Sequence, residues 1–421
     1  MSTTRFPILF ITSSRIGDAV LSSGLLMRLA DEVPNARFTI VASPLTAPLF
    51  ADTPELGRLI ELEKQPLARH WLSLWWSVRG RRWGLVVDMR GSGLAGFLSA
   101  RRRAVRRSPA PGLDPVHKVI EAARVLQLED DVPAPGLFVS AERQAAADAL
   151  LAGDGPILAM APAANWVGKT WPVERFAIVA AQLLGPDGRL AGGRLLLLGG
   201  LEDRSLTEPV RRVVPRSRLI DLVGKVDLLT AYACLKRVRL FVGNDSGLMH
   251  LSAAAGAPTL GLFGPSDDRL YGPWGPNART LRGGRDFEAF KRIDPQLNQA
   301  VCHMFDLPIP WVVNAAEALI RDTEPGPAPL QAPIEPEAKA EPDRGSPAHD
   351  LDAAVVSDMT FEAVDSPPVA HASPSEPEAD AALPSRPKRK PRARKMPVIA
   401  LTAEAEASAQ TEASSTGEPL V

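Results

Sequence analysis

The stretch Arg239–Asp267, RLFVGNDSGLMHLSAAAGAPTLGLFGPSD, decides the fold. Leu240, Phe241 and Val242 form an apolar run, Gly243-Asn244-Asp245-Ser246-Gly247 is a tight polar turn, and Met249 to Ala255 is small and helix-forming. Gly256 and Pro258 stop that helix, and Thr259–Phe263 is a second apolar run. Strand, polar turn, short helix and strand make a βαβ unit whose polar residues sit at the carboxyl end of a strand. Such a turn aims backbone N–H groups and a helix N-terminus at whatever lies above it, an arrangement that suits phosphate. Spacing leaves a second reading open, in which Asp245 or Ser246 is a helix cap.

The same alternation runs outward to both sides. Pro7–Ser13 reads as a buried first strand, Ser14–Asp18 as a turn, Ala19–Glu32 as a helix and Arg37–Ala42 as a second strand. Asp18 lies where strand gives way to helix, so it is either a first-turn charge or a carboxylate placed as a base at a cleft mouth. Further on, Pro156–Ala161 is expected to be a strand and Pro162–Trp171 a polar loop carrying Lys169. Pro172–Leu183 reads as a helix, Arg194–Leu198 and Arg218–Leu222 as strands and Leu228–Leu235 as a helix. Two βα repeats would face each other, 1–150 and 151–321, with Asp18 on one wall of a cleft and Lys169 and Asp245–His250 on the other.

Pro66–Trp83 carries four tryptophans among arginines, with Trp71, Leu74, Trp75 and Val78 on one helical face. It reads as an amphipathic helix packed on a sheet or as an interfacial helix among lipid headgroups. Gly84–Met89 reads as a strand, and Gly91–Gly96 fits G-x-G-x-x-G. That match would make the chain a nicotinamide-dependent oxidoreductase, but it follows a late strand rather than the first. The following FLSARRRAVRRS is expected to be helical. Lys64–Lys118 holds 12 basic and 2 acidic residues, which suits an anionic glycolipid or membrane surface. Nucleic acid is not expected, because no nucleic-acid fold signature accompanies the charge.

Composition divides the 421 residues. Residues 322–421 carry 9 basic and 18 acidic groups and 16 of the 40 prolines, leaving 1–321 with a net charge of +8. The tail cannot bury a core and is expected to be disordered, with a basic island at Arg386–Lys395. Two cysteines, Cys234 and Cys302, show no metal or disulfide spacing, and MSTTRFPILFITSS does not read as a signal peptide. No apolar run approaches the ~20 residues of a membrane span. The expected location is cytoplasmic, peripheral on the cytoplasmic face of the inner membrane.

Four patches together resemble glycosyltransferase family 9, the ADP-heptose:lipopolysaccharide heptosyltransferases. They are TSSRIGDAVLSSGLL, VVDMRGSGLAGFLSARRRAVRRS, APAANWVGKTWPVERF and GNDSGLMHLSAAAGAPTLGLFGPSD, spread over Phe6–Arg321. The resemblance implies an α/β fold of GT-B type: an amino-terminal acceptor domain and a carboxyl-terminal nucleotide-sugar domain. It implies inverting transfer of a heptose, with no metal and no cofactor beyond the ADP-sugar co-substrate. Asp18 matches the general base, with Arg15, Gly17 and Arg90 on the acceptor side. Lys169 and Asn165 match pyrophosphate ligands, and Ser246, Gly247 and Leu248 match the phosphate-holding turn. Asp245 and His250 match the acidic residue near the sugar and the histidine of that turn; Glu202 or Asp203 would reach the ribose. The implied partners are the nucleotide sugar, an anionic glycolipid acceptor and the inner-membrane surface. A different donor or acceptor on the same fold stays open.

Overall fold

The computed structural model describes residues 5–107, 114–297 and 301–324. The expected tail, with its basic island, lies outside the described residues from 325 onward.

The first half contains β1 (Phe6–Ile11), α1 (Ile16–Leu21), α2 (Ser23–Glu32), β2 (Ala36–Ala42), β3 (Leu56–Glu61), α3 (Arg69–Val78), β4 (Trp83–Asp88), β5 (Ala100–Val105) and α4 (Lys118–Ala123). The second half follows with α5 (Ala141–Leu150), β6 (Ile157–Ala161), α6 (Val173–Leu184), β7 (Arg194–Leu197), α7 (Glu208–Arg211), β8 (Leu219–Asp221) and α8 (Leu228–Leu235). It ends with β9 (Leu240–Asn244), α9 (Gly247–Ala254), β10 (Thr259–Phe263), α10 (Asp268–Tyr271), β11 (Ala278–Arg282), α11 (Phe287–Ile293) and α12 (Ile309–Asp322). Among the described residues all the strand pairs are parallel, in a five-stranded sheet of order β3-β2-β1-β4-β5 and a six-stranded sheet of order β11-β10-β9-β6-β7-β8.

Central parallel strands are covered on both faces, so they need near-continuous apolar sequence. The runs 157–161, 240–244 and 259–263 are buried throughout. Trp171, fully buried, meets Phe176 edge-on at 5.1 Å and donates its Nε1–H to the Leu307 carbonyl at 3.1 Å. This anchors the end of the Pro162–Trp171 loop against the approach to α12. One apolar cluster is continuous from Ile8 and Phe10 of the first sheet to Ala159 and Phe241 of the second. Helix α5 is tied to α8 by Arg143 with Asp227 and to the first half by Arg143 with Asp52.

The expectation for the arginine-rich stretch is overturned. Over its described residues, 97–107, FLSARRRAVRRS does not form a helix: Leu94–Phe97 is a short 3₁₀ turn and Ala100–Val105 is the edge strand β5, paired with β4. The segment has no apolar stripe at helical spacing. An edge strand tolerates its arginines, since Arg101, Arg102 and Arg103 are exposed, and such charge also blunts edge-to-edge pairing. Helix α3 is shorter than the Trp-rich segment, and Trp83 opens β4 instead.

The strand orders locate the crevices. In the first sheet the chain leaves β1 for β2 on one side and returns to β4 on the other. In the second, β6 leads to β7 on one side and β9 lies on the other. Ligands of open α/β sheets bind beyond the carboxyl ends of the strands at such reversals.

Candidate functional site

At the first reversal, Arg90 follows the end of β4 and donates its Nε–H to the Thr12 carbonyl beyond β1 at 2.7 Å. Its Nη2 and the Thr12 Oγ1 are buried with no protein hydrogen-bond partner. Burial depresses the guanidinium pKa, against the pull of Asp88. Asp18 stands in the first turn of α1. Burial raises its carboxyl above the ordinary carboxylate value, while Arg15, Arg106 and Lys118 pull it back down. A base whose pKa stays raised beside three cations is more proton-hungry than a surface aspartate.

At the second reversal, Asn244 ends β9 fully buried. Its Oδ1 accepts the Trp171 N–H at 3.1 Å, and its Nδ2 donates to the Pro162 carbonyl at 2.5 Å. One amide therefore fixes both ends of the 162–171 loop, which carries Lys169. The Lys169 Nζ lies 2.5 Å from Asp245 Oδ2, spanning the reversal. Ser246 occupies the N-cap position of α9, but its side chain makes no capping bond and its Oγ is buried without a partner. The capping reading is thus overturned for both residues: Asp245 is held by Lys169, and Ser246 leaves its hydroxyl free. The first N–H groups of a helix have no intrahelical partner, so the start of α9 presents open donors.

His250 is buried, with its Nε2 3.9 Å from Asp245 Oδ1 and its Nδ1 unpartnered. Burial lowers its pKa to about 4, Asp245 opposing, so the ring is neutral at physiological pH. The starts of α1 and α9 meet head to head. A Cβ on Gly17 would lie 2.9 Å from His250 Cδ2, and one on Gly247 would lie 2.6 Å from Ile16 Cγ2. Both glycines are needed for this approach, which brings the Asp18 turn against the Ser246–Gly247 turn.

Not every expected residue joins this centre. Asp203 accepts the Gly200 N–H at 2.8 Å, closing the turn after β7, and Glu202 folds back over Gly200. Asn165 is exposed on the 162–171 loop. Leu248 lies in the first turn of α9. Arg15 is exposed beside Asp18.

Other neighbours escaped the sequence reading. Arg106 binds Glu121 through Nε and Nη2 at 2.9 and 2.6 Å, and Lys118 pairs with the same carboxylate. Tyr271, from the second half, has its phenol pKa raised by burial and by the nearby Asp18 charge. His117 Nδ1 accepts the Val119 N–H at 3.2 Å, so its Nε2 is the protonated nitrogen that donates to the Gly272 carbonyl at 3.0 Å. Its ring lies 4.7 Å from that of Trp274. Arg106 and Lys118 were visible only as members of a basic run, and no local signal marked Tyr271.

The Gly91–Gly96 loop is not a dinucleotide cradle. Asp88 takes the Arg90 and Ser92 N–H groups at 3.0 and 2.9 Å and the Ser92 hydroxyl at 2.7 Å. Among the described residues a short 3₁₀ turn and then β5 follow, so no α-helix N-terminus opens from this loop.

Residues 73–298 match the family model described as glycosyltransferase family 9 (heptosyltransferase). The chain is 25% identical over 312 residues to lipooligosaccharide heptosyltransferase 2 of Haemophilus influenzae, covering 65% of this chain and 88% of that one. Its fold superposes on a family 9 glycosyltransferase from Veillonella parvula with a TM-score of 0.61 at 22% identity, covering 77% and 99% of the two chains. For the E. coli ADP-heptose lipopolysaccharide heptosyltransferase II the TM-score is 0.58 at 22% identity, covering 75% and 99%. With its paired parallel sheets the fold is of the GT-B type. This chain belongs to glycosyltransferase family 9, the heptosyltransferase family, and is a glycosyltransferase.

Proposed function

We propose that the protein transfers a heptose, with inversion and without a metal ion, from ADP-heptose to the core region of a lipopolysaccharide acceptor. The observation that carries this reading is that, among the described residues, four of the six buried side-chain polar atoms without a protein hydrogen-bond partner lie at the two reversals. Thr12 Oγ1 and Arg90 Nη2 lie at one; Ser246 Oγ and His250 Nδ1 lie at the other. A buried donor or acceptor left unpaired costs roughly 1–3 kcal/mol, so such a cluster is best understood as sockets that substrates fill. The solved relative named for ADP-heptose supports the donor, and the lipooligosaccharide relative supports the acceptor.

In this reading the α9 start holds the donor pyrophosphate through the backbone N–H groups of Gly247 and Leu248 and the hydroxyl of Ser246. Lys169 shifts from Asp245 onto the phosphates, and the freed Asp245 faces the sugar. Neutral His250 offers a hydrogen bond without adding charge. Asn165, exposed on the 162–171 loop, adds a polar phosphate contact only once the donor is seated, and Glu202, beside the turn that Asp203 closes after β7, reaches the ribose. On the opposite side Asp18 removes the proton of the acceptor hydroxyl as its oxygen attacks the anomeric carbon. The bond from that carbon to the β-phosphate oxygen breaks, and ADP leaves with its added negative charge. Fixed N–H groups and a lysine stabilise that charge with little reorganisation. Arg90 and Arg15 hold anionic groups of the acceptor. Attack from the face opposite the leaving group inverts the centre.

The test is incubation of the purified chain with ADP-heptose and a truncated core glycolipid in the presence of EDTA. ADP release with formation of heptosylated glycolipid is expected. No release with ADP-heptose, but turnover of another nucleotide sugar from a panel, would overturn the donor assignment.

A further inference from the structure

The outer face of α3 carries two well-exposed large apolar side chains. Its inner side is ordinary: His70, Leu74 and Val78, four residues apart, are buried against the first sheet. On the outer side Leu72 and Trp76, also four apart, are 60% and 58% exposed. Just before the helix, Leu67 and Ala68 both adopt positive φ, +53° and +55°, and Leu67 is 95% exposed. Two consecutive left-handed residues with side chains are costly, and the outcome here is an apolar side chain held out in solvent. Beside α3, the Trp75 Nε1–H donates to the Phe97 carbonyl at 3.0 Å, and the Phe97 ring is 78% exposed. Arg103 pins this turn from below through the Ala95 and Leu98 carbonyls at 2.8 and 2.6 Å.

The rim of these four apolar side chains is cationic. From Lys64 to Arg107 the one acidic residue is Asp88, which is fully buried. Lys64, Arg69, Arg79 and Arg101 are exposed, and the Arg79 guanidinium stacks over Trp76 at 3.7 Å from the ring centroid. At the carboxyl end of α3, beside Ser77 and Val78, a cavity of about 400 Å³ is lined by Arg5, Arg37, Arg58 and Arg81. Glu55 pairs with Arg37 at 3.4 Å, which leaves the arginines of this cavity in excess over carboxylates.

Exposed aromatic and aliphatic side chains set among arginines fit the boundary between lipid headgroups and acyl chains. A protein partner would have to present a strongly acidic surface that also covers Leu67; a bilayer with anionic headgroups offers both features at once. We infer that Leu67, Leu72, Trp76 and Phe97, rimmed by Lys64, Arg69, Arg79 and Arg101, dock the chain on an anionic phospholipid bilayer, with the four-arginine cavity taking a headgroup phosphate. The surface adjoins the acceptor side of the site, since the Arg90 guanidinium lies 5.7 Å from the Trp71 ring of the same helix. An acceptor held in the bilayer would then reach Asp18 without leaving it. That last step rests on the proposed glycolipid acceptor; the docking surface itself does not.

The experiment is vesicle co-sedimentation of the full chain with phosphatidylcholine vesicles, with and without phosphatidylglycerol. The native chain is expected to bind the anionic vesicles about tenfold or more tightly than the neutral ones. The Leu67→Ser/Trp76→Ser/Phe97→Ser variant is expected to lose about tenfold in that binding, with its melting temperature and its turnover of a soluble, delipidated acceptor unchanged. Arg79→Glu/Arg101→Glu should lose a similar factor. Binding unaffected by these substitutions would overturn the proposal and move the membrane contact elsewhere in the chain, as would equal binding to neutral vesicles. A chain that binds vesicles through this face but transfers no heptose would sink the proposed reaction and leave the docking surface standing.

Discussion

Two glycine-bearing turns follow central or near-central strands of this protein, and they end differently. After β4, Asp88 collects the N–H groups of Arg90 and Ser92 and the Ser92 hydroxyl, and the chain continues into an edge strand. After β9, the residue in the matching place is Asn244, which turns away to hold the 162–171 loop. The turn beyond it keeps an unpartnered Ser246 hydroxyl and opens directly into α9. A glycine pattern makes a turn possible in both. What separates a closed loop from an anion-ready one is whether a neighbouring carboxylate has already consumed the donors.

The largest expected effect tests what faces the open turn. Asp18→Asn should lower turnover by about 10²–10⁴-fold, the usual range for a lost general base, with ADP affinity unchanged in a calorimetric titration. Near-native turnover would remove Asp18 from the role. Because burial raises the Asp18 pKa, activity should fall with decreasing pH through a value above that of an ordinary carboxylate. The stability consequence has the opposite sign from that of a salt-bridged aspartate. The folded state binds the proton more tightly than the unfolded state, so the cost of ionised Asp18 is complete above the folded pKa and absent below the unfolded one. Asp18→Asn should therefore hold or raise the melting temperature at neutral pH, and a marked drop would contradict this.

Lys169→Ala comes next, with a weakening of ADP binding by about 10–100-fold, as expected for loss of a charge-assisted contact. Unchanged affinity would take it out of the phosphate site. Asn244→Ala removes both buried bonds and should cost about 1–3 kcal/mol of stability, together with a several-fold loss of ADP affinity as the 162–171 loop loosens. Asp88→Ala should cost stability in the same range while leaving ADP affinity alone. If Asp88→Ala changed ADP affinity as much as Asn244→Ala, the distinction between the two turns would fail.

Much of the architecture is legible in the chain because fully covered parallel strands need uninterrupted apolar runs. Thr259–Phe263 and Leu228–Leu235 fall where their composition puts them. The reading failed at FLSARRRAVRRS, where side-chain propensity favoured a helix and pairing with β4 made a strand. It left the Ser246 cap open beside the phosphate-holding turn, because whether a hydroxyl reaches its own helix depends on how the neighbouring element packs. Here α1 closes on α9 at Gly17 and Gly247.

By itself the sequence determined the alternation of strands and helices, the polar turns at strand ends, the basic character of the first half and the family to which the chain belongs. The first three are local or additive properties, read from composition and periodicity, and the family is carried by four motif patches and the match over residues 73–298. Tertiary structure alone decided which turns lie at sheet reversals, which polar atoms are left unpartnered, and that Lys169 rests on Asp245. It also decided that Arg106, Lys118 and Tyr271 surround Asp18. The physical reason is that strand order and helix approach set these distances, and both depend on contacts between residues far apart in the chain.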